Sequence, residues 1–499
     1  MSAVRRSLLM ATGENYVGVV ASLTTLAVVS RLLVPHEIGV YALGVATTAI
    51  LLAAREFATT EFLVQRQTVS RDDVRTSFTI LMTVSLTVAA AGWTGADAIA
   101  GYYGMEELAP FLRVALLAAI LEAFALPLIA LMRRDMDFGK LALIKVTAIL
   151  VSGTTTCVLA LFGFSFMSFA WASLTSGVVT VSLALHFRRA FWIYQPSLRS
   201  WRAAITFGGY NGMCNLLGKA TETIPLLVLG RLMPVSAVGL YNRASMICLV
   251  PDRIILSGLF SIALPALARE VHAGRDLKEP YLRAISYLSV VYWPTQTMLF
   301  LLAYPAVALA LGQQWLEVVP LVRLIALSTF FCVPLILTQP TLLATGAFRH
   351  YLRSTLITSP FAIVVFSAAA FVSVEAFAAS YLVTLPVQAV VQQYFIRKNV
   401  AVTWRDLGTA CWKSALITAA SACGPLLVIA LSGYRFDLSP AAFVVAGPLG
   451  GLFWLAALVL LRHPLLEEIM KVLGRSGLDV GVSVPSTLMP SGAVGPTAP

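Results

Sequence analysis

The chain has 499 residues, 59% of them hydrophobic and only 12% charged, with a mean hydropathy of +0.84. A soluble domain carries about 25% charged residues, so an ordinary globular enzyme is excluded and a polytopic membrane protein is implied. The net charge of +11 would suit nucleic acid. However, the only basic stretch with interleaved aromatics, Phe187 to Arg202, is wedged between two apolar segments, and no nucleic-acid partner follows from it.

The first apolar segment, 7–30, has no A-x-A site and continues past Ala21, so it reads as a membrane span and not as a cleaved signal. It also opens an internal repeat. Asn15 to Tyr41 (NYVGVVASLTTLAVVSRLLVPHEIGVY) aligns without a gap on Asn215 to Tyr241 (NLLGKATETIPLLVLGRLMPVSAVGLY). Identities fall at Asn15/Asn215, Gly18/Gly218, Arg31/Arg231, Leu32/Leu232, Gly39/Gly239 and Tyr41/Tyr241, among others. A repeat of this kind in so apolar a chain points to a two-lobed transporter with its substrate site between the lobes.

At about 20 apolar residues per crossing, the chain reads as an all-α membrane protein of about fourteen transmembrane helices. In order they are 7–30, 41–64, 77–96, 110–132, 141–162, 165–187, 205–230, 239–265, 284–311, 319–344, 354–373, 376–396, 410–432 and 440–461. Two six-helix lobes are predicted, 1–187 and 203–398, joined by a cytoplasmic linker at 188–202. Two peripheral helices follow within 399–462, then a tail at 463–499 that is largely disordered from 476. Arg31, Arg231 and Arg435 are the only basic residues in the odd-to-even connections, whereas the even-to-odd connections are rich in them. By the positive-inside rule both termini are cytoplasmic. The six cysteines lie within or beside apolar segments without CxxC spacing, so neither disulfide nor metal is implied.

Ionisable groups inside spans cost roughly 2.5–3.5 kcal/mol each on insertion scales, so they face a cavity or a partner. In the seventh helix Asn211, Asn215, Lys219 and Glu222 share one face, with Lys219 the point charge for a substrate anion or the neutraliser of Glu222. Asn15, Ser22 and Thr25 form the equivalent face of the first helix. Lys145, Ser152 and Thr156 form a sparser stripe in the fifth. The acids Glu14, Glu56, Glu122 and Asp252 are candidates for coupling an ion. Arg113, Arg243, Arg323 and Lys413 stand near span ends and are expected to snorkel to the interface. Walker GxxxxGK[ST] and HExxH are absent and the loops are short, so neither an enzyme nor a bound cofactor is implied.

RLLVPHEIGVYALG followed by REFATTEFLVQRQTVSRDDVRTSFT resembles the first hairpin and cytoplasmic loop of the Wzx-type oligosaccharide flippases. These belong to the multidrug/oligosaccharidyl-lipid/polysaccharide (MOP) exporter superfamily. LGRLMPVSAVGLYNRASMICLVPDRIILSGLFSIALPALARE is similar to the family's seventh and eighth helices, and LGQQWLEVVPLVRLIAL to the entry of its tenth. The resemblance spans about 1–462. One departure is Glu56-Phe57-Ala58, where the family commonly has Asp-Phe-Gly.

The resemblance implies twelve core helices around a cationic cavity, two peripheral helices, and alternating access in a bacterial inner membrane. Its substrate is an undecaprenyl-diphosphate-linked oligosaccharide moved to the periplasmic leaflet, with a polymerase and a chain-length regulator as pathway partners. Arg55, Arg253 and Arg31 are the residues it suggests for the cavity. A drug or cation antiporter, a lipid II flippase and a polysaccharide polymerase are the alternatives. The first would favour acidic and aromatic cavity residues, the second differs only in its sugar, and the third needs a long exoplasmic loop.

Overall fold

The computed structural model describes residues 3–58, 63, 69–254, 276–434, 436–466 and 468, and their regular structure is helical throughout. The helices of the first half are α1 (Ala3–Leu32), α2 (Pro35–Leu51), α3 (Arg71–Tyr103), α4 (Leu108–Arg134), α5 (Phe138–Leu161) and α6 (Met167–Phe187). A 3-10 turn, Leu52–Ala58, extends α2. The second half begins with α7 (Trp201–Leu232), α8 (Val235–Cys248), α9 (Lys278–Leu301), α10 (Ala303–Ala310), α11 (Val318–Ser328) and α12 (Cys332–Ile336). It ends with α13 (Thr338–Ala344), α14 (Phe348–Ala370), α15 (Val374–Ala379), α16 (Tyr381–Arg397), α17 (Trp404–Leu431) and α18 (Pro440–Leu460). Among the described residues, 10 helices are long and apolar enough to cross a membrane. The end of the span expected at 239–265, Arg435 and the tail beyond 468 lie outside the described residues.

The packing pairs recur between the halves. α1 lies on α5 and α5 on α6; correspondingly α7 lies on α14 and α14 on α16. α3 packs on α4 as α9 packs on α11, and α2 meets α4 as α8 meets α11. The peripheral pair α17 and α18 has no counterpart in the first half and attaches through α9.

The connections expected at 31–40 and 231–238 contract to Leu33–Val34 and Met233–Pro234. Pro35 supplies the preset φ of a first helical position, and the Glu37 carboxylate accepts from the Val34 N–H at 2.9 Å. α2 and α8 therefore begin earlier than hydropathy indicated.

Two prolines in the second half break helical hydrogen bonds, and a tryptophan repairs each. Pro294 cannot donate to the Val290 carbonyl four residues back, and the Trp454 indole N–H donates there at 2.8 Å. Pro334 likewise leaves the Phe330 carbonyl free beside the 3-10 turn Thr329–Phe331, where Trp293 donates at 2.9 Å. These bonds tie α18 to α9, and α9 to the break between α11 and α12.

The basic linker is strapped to the first half. Arg75 donates to the Gln195 and Pro196 carbonyls at 3.0 and 3.3 Å, and Arg199 pairs with Asp72 at 3.2 Å. The Tyr194 hydroxyl donates to the Phe124 carbonyl at 3.2 Å. The Ser197 and Ser200 N–H groups donate to the Thr79 and Thr76 hydroxyls at 3.1 and 3.3 Å, so the strap runs up to the start of α7.

Candidate functional site

A cavity of about 650 Å³ lies between α1, α5 and α6 on one side and α8 on the other. At its closed end stand Val29, Tyr41, Phe169 and Arg243; at its mouth stand Glu14, Arg133, Lys145 and Arg253. Arg243 lies within α8, whereas Arg253 lies beyond its end at Cys248.

The wall from the first half carries hydroxyls. Thr25 donates to the Ala21 carbonyl at 2.9 Å, Thr156 to Ser152 at 2.8 Å and Thr180 to Ser176 at 2.8 Å, while Ser176 donates to Ala148 at 3.3 Å. Their protons are committed to helix carbonyls, so each hydroxyl of this wall keeps oxygen lone pairs with which to accept. Such a wall suits a ligand rich in O–H donors. At the mouth the Lys145 ammonium lies 2.7 Å from the Glu14 carboxylate.

The closed end is built from both halves. The Ser30 carbonyl, one of the orphan acceptors at the end of α1, receives the Gln314 amide and the Trp315 indole N–H, each at 2.6 Å. Arg31 donates to the Leu309 carbonyl at 2.9 Å. Val29, Leu33 and Ile38 share an apolar cluster with Leu240, Val307, Trp315 and Val322.

Arg243 is the deepest cation of the cavity, at 2% exposure. Its Nη1 meets the Met246 sulfur at 3.3 Å and its guanidinium lies over the Trp315 ring at 5.7 Å, but Nε and Nη2 have no hydrogen-bond partner. The expectation that Arg243 snorkels to the interface is corrected. α8 starts at Val235, which carries the side chain into the interior.

The other expected site residues distribute as follows. Lys145, Arg253 and Glu14 line the cavity. Arg31 sits at the closed end, outside the lining. Arg55, in the 3-10 turn after α2, faces Glu122 at 3.9 Å, and neither lines the cavity. On α7, Asn215 is half-buried while Lys219 and Glu222 are exposed, all outside the lining. Asp252 is half-buried; its carboxylate meets the Tyr292 hydroxyl, and its Oδ1 has no partner. The side chains of Asn211, Glu56 and Asn15 lie outside the described residues.

Sequence reasoning missed Arg243, Tyr41, Phe169, Ser176 and Thr180. Tyr41 stacks on Phe169 with ring centroids 3.8 Å apart. Its place in the repeat was the available signal, since Tyr41 and Tyr241 are mates and Arg243 follows two residues later.

Comparison with solved structures gives the fold. The lipid II flippase MurJ in an inward closed conformation superposes with a TM-score of 0.73 at 10% identity, covering 92% of this chain and all of the other. An inward-facing multidrug resistance transporter of the MATE family, of the MOP superfamily, gives 0.61 at 16% identity, covering 77% of this chain and 94% of the other.

Among sequence relatives, the lipopolysaccharide biosynthesis protein WzxC of Escherichia coli (strain K12) is 22% identical over 307 residues, 61% of this chain and 62% of that one. The succinoglycan biosynthesis transport protein ExoT of Rhizobium meliloti (strain 1021) is 24% identical over 322 residues, 64% and 65% of the two chains. The teichuronic acid biosynthesis protein TuaB of Bacillus subtilis (strain 168) is 19% identical over 286 residues, 57% and 59%. Each match spans less than two thirds of the relative's length. The model of the polysaccharide biosynthesis protein family matches residues 28–320. That is more than half of the chain, and the chain belongs to the polysaccharide biosynthesis protein family, in keeping with its Wzx-type resemblance.

Proposed function

We propose that the protein is a flippase that carries undecaprenyl-diphosphate-linked oligosaccharide units from the cytoplasmic to the periplasmic leaflet of a bacterial inner membrane. The observation that carries this reading is the cavity, which combines cations at both depths with a wall of hydroxyl acceptors. A diphosphate and a hydroxylated sugar cannot cross hydrocarbon unaided. Arginine offers bidentate contacts to phosphate, lysine a point charge, and the serine and threonine oxygens accept from sugar hydroxyls. The prenyl chain stays in lipid while the head group passes.

In this reading fourteen spans form two six-helix lobes plus a peripheral pair, with 1–187 and 203–398 as the lobes and both termini cytoplasmic. The recurring packing pairs support the lobes, and the basic residues of the even-to-odd loops support the orientation. The cavity then opens to the cytoplasm. Lys145 and Arg253 receive the head group at the mouth, while Glu14, Glu56, Glu122 or Asp252 serves any ion coupling. Asn211, Asn215, Lys219 and Glu222 remain candidates for a later stage of the cycle, when α7 meets the substrate. The protein is a transporter and not an enzyme, with a polymerase and a chain-length regulator as downstream partners. A drug or cation antiporter is disfavoured because Arg133, Lys145, Arg243 and Arg253 outnumber Glu14 around the cavity.

Deletion of the gene in its host tests this. Surface polysaccharide should be lost while lipid-linked repeat units accumulate on the cytoplasmic leaflet. Units that still reach the periplasm at the normal rate, with only polymer length changed, would replace this reading with a polymerase or chain-length role.

A further inference from the structure

Arg243 is a buried cation whose surroundings do not complete it. A guanidinium removed from water needs an anion or a full set of acceptors, and an uncompensated one is strongly unfavourable. Here Nη1 meets only a thioether, and Nε and Nη2 meet nothing. Tyr41 and Val29 share the cavity end with it, and neither carries an anion. Arg243 lines the closed end of the cavity, and its vacant donors, buried there, await a ligand that the protein does not itself provide.

The same guanidinium lies over Trp315, which is fully buried behind it and outside the cavity lining. The indole N–H of Trp315 holds the Ser30 carbonyl at the end of α1, across the junction of the two halves. One side chain thus touches both the cavity and the contact that seals its end. A cation over an indole face is worth most when desolvated and unpaired, and it weakens once the cation acquires a better partner.

We propose that Arg243 binds the anionic diphosphate of the substrate at the closed end of the cavity, and that this contact draws it from Trp315 and loosens the Trp315–Ser30 seal. The inference rests on the flippase reading and adds to it how occupancy of the cavity is transmitted to its far end. An empty protein keeps the seal because Arg243 has no partner better than the indole. A loaded one gives the guanidinium an oxyanion that offers two acceptors in its plane. Sugar specificity stays with the hydroxyl wall, whereas Arg243 reads the group that every lipid-linked unit would share.

The test uses the full-length protein in nanodiscs with geranyl diphosphate as the probe and geraniol as the uncharged control. Spin labels at His36→Cys and Ser236→Cys, repeat mates beside the seal, report the distance between the halves. Geranyl diphosphate, but not geraniol, should lengthen that distance in the parent protein. Arg243→Gln should bind the probe roughly thirtyfold more weakly, as expected for loss of charge-assisted hydrogen bonds, and should show no lengthening. Without ligand, its thermal midpoint should be unchanged or higher, because an unpaired buried charge has been removed. A merely structural arginine would lower it.

Trp315→Phe keeps the ring and removes only the N–H. It should bind the probe as the parent does, yet show the longer distance before any is added. If Arg243→Gln binds and lengthens like the parent, the inference fails and the flippase reading stands. If the parent itself does not distinguish geranyl diphosphate from geraniol, both fall.

Discussion

Gly39 and Gly239 lie where α2 crosses α8, and at neither position does the facing backbone leave room for a Cβ. A Cβ on Gly39 would overlap the Val235 carbonyl, and one on Gly239 would overlap the Pro35 carbonyl and approach the Gly39 nitrogen to 2.9 Å. Pro35 and Val235 are themselves mates in the repeat, so exchanging the halves maps this contact onto itself. The crossing therefore lies on the approximate two-fold axis of the protein. The two glycines let backbone approach backbone at this crossing.

Gly39→Ala should accordingly pry the crossing apart. Overpacking of this kind costs about 1–3 kcal/mol, borne by the sealed state alone if the halves separate here during transport. A cysteine at Leu33, 3% exposed in the parent, should then react faster with a membrane-impermeant thiol reagent added from the periplasm. Unchanged labelling together with unchanged export would show that the crossing does not hold the halves.

The tryptophan repairs can be separated from simple packing by a double-mutant cycle. Trp454→Phe leaves the Val290 carbonyl without a donor and should destabilise the protein by about 1–3 kcal/mol. In a Pro294→Ala background the restored backbone N–H can take that carbonyl, so the same change should cost roughly half as much. Thermal unfolding of the four proteins in detergent reads the coupling. Additive losses would mean that the indole matters for its bulk and not for its N–H.

Lys145 and Glu14 form the ion pair at the mouth of the cavity, with the lysine the more exposed partner. If the ammonium receives the head group, Lys145→Ala should cut export about tenfold at matched abundance, the scale of one charge-assisted contact. Lys145→Arg should keep part of the activity, while Lys219→Ala, outside the cavity lining, should do less harm than Lys145→Ala. Recovery of normal export in Lys145→Ala/Glu14→Gln would reduce the pair to mutual neutralisation.

His463, which follows α18, anchors the peripheral helices. Its Nδ1 accepts from the Leu465 N–H at 3.2 Å, so Nε2 carries the proton and donates to the Ser286 hydroxyl at 3.0 Å. Ser289 and Ser414 continue the network at 2.8 Å. Burial, with help from the Lys413 charge, pushes the imidazole down to about 4, below its ordinary value near 6.5. The unfolded chain therefore binds a proton in this range that the folded chain refuses. Stability is complete above about pH 6.5 and is lost as the pH falls towards 4. The thermal midpoint should fall between pH 7 and 5, and His463→Gln should flatten that slope. An equal slope in the variant would assign the dependence to other groups.

Much of the architecture was legible because the bilayer imposes it locally. Each apolar run long enough to cross must become a helix, since its backbone groups have no other partners in hydrocarbon. Where prolines made helices begin early, at Pro35 and after Pro234, hydropathy misplaced the boundary by several residues because the polar neighbours of the turn already lie in the helix. That error displaced Arg243: beginning α8 at Val235 rather than at 239 carries it four residues, about 6 Å, deeper along the helix axis.

The sequence by itself determined the membrane class, the internal repeat, the order of helices and the family resemblance. All of these are written in local composition or in fixed spacing along one dimension. Only the tertiary structure decided which charges face the cavity, that Gly39 and Gly239 meet on the axis, and that Arg243 is left without an anion. A helical stripe states which residues share a face but not what that face meets. Lys219 and Lys145 both sit on polar stripes, yet only the helix carrying Lys145 turns its stripe to the cavity. The difference lies in neighbours hundreds of residues away, and periodicity contains no term for them.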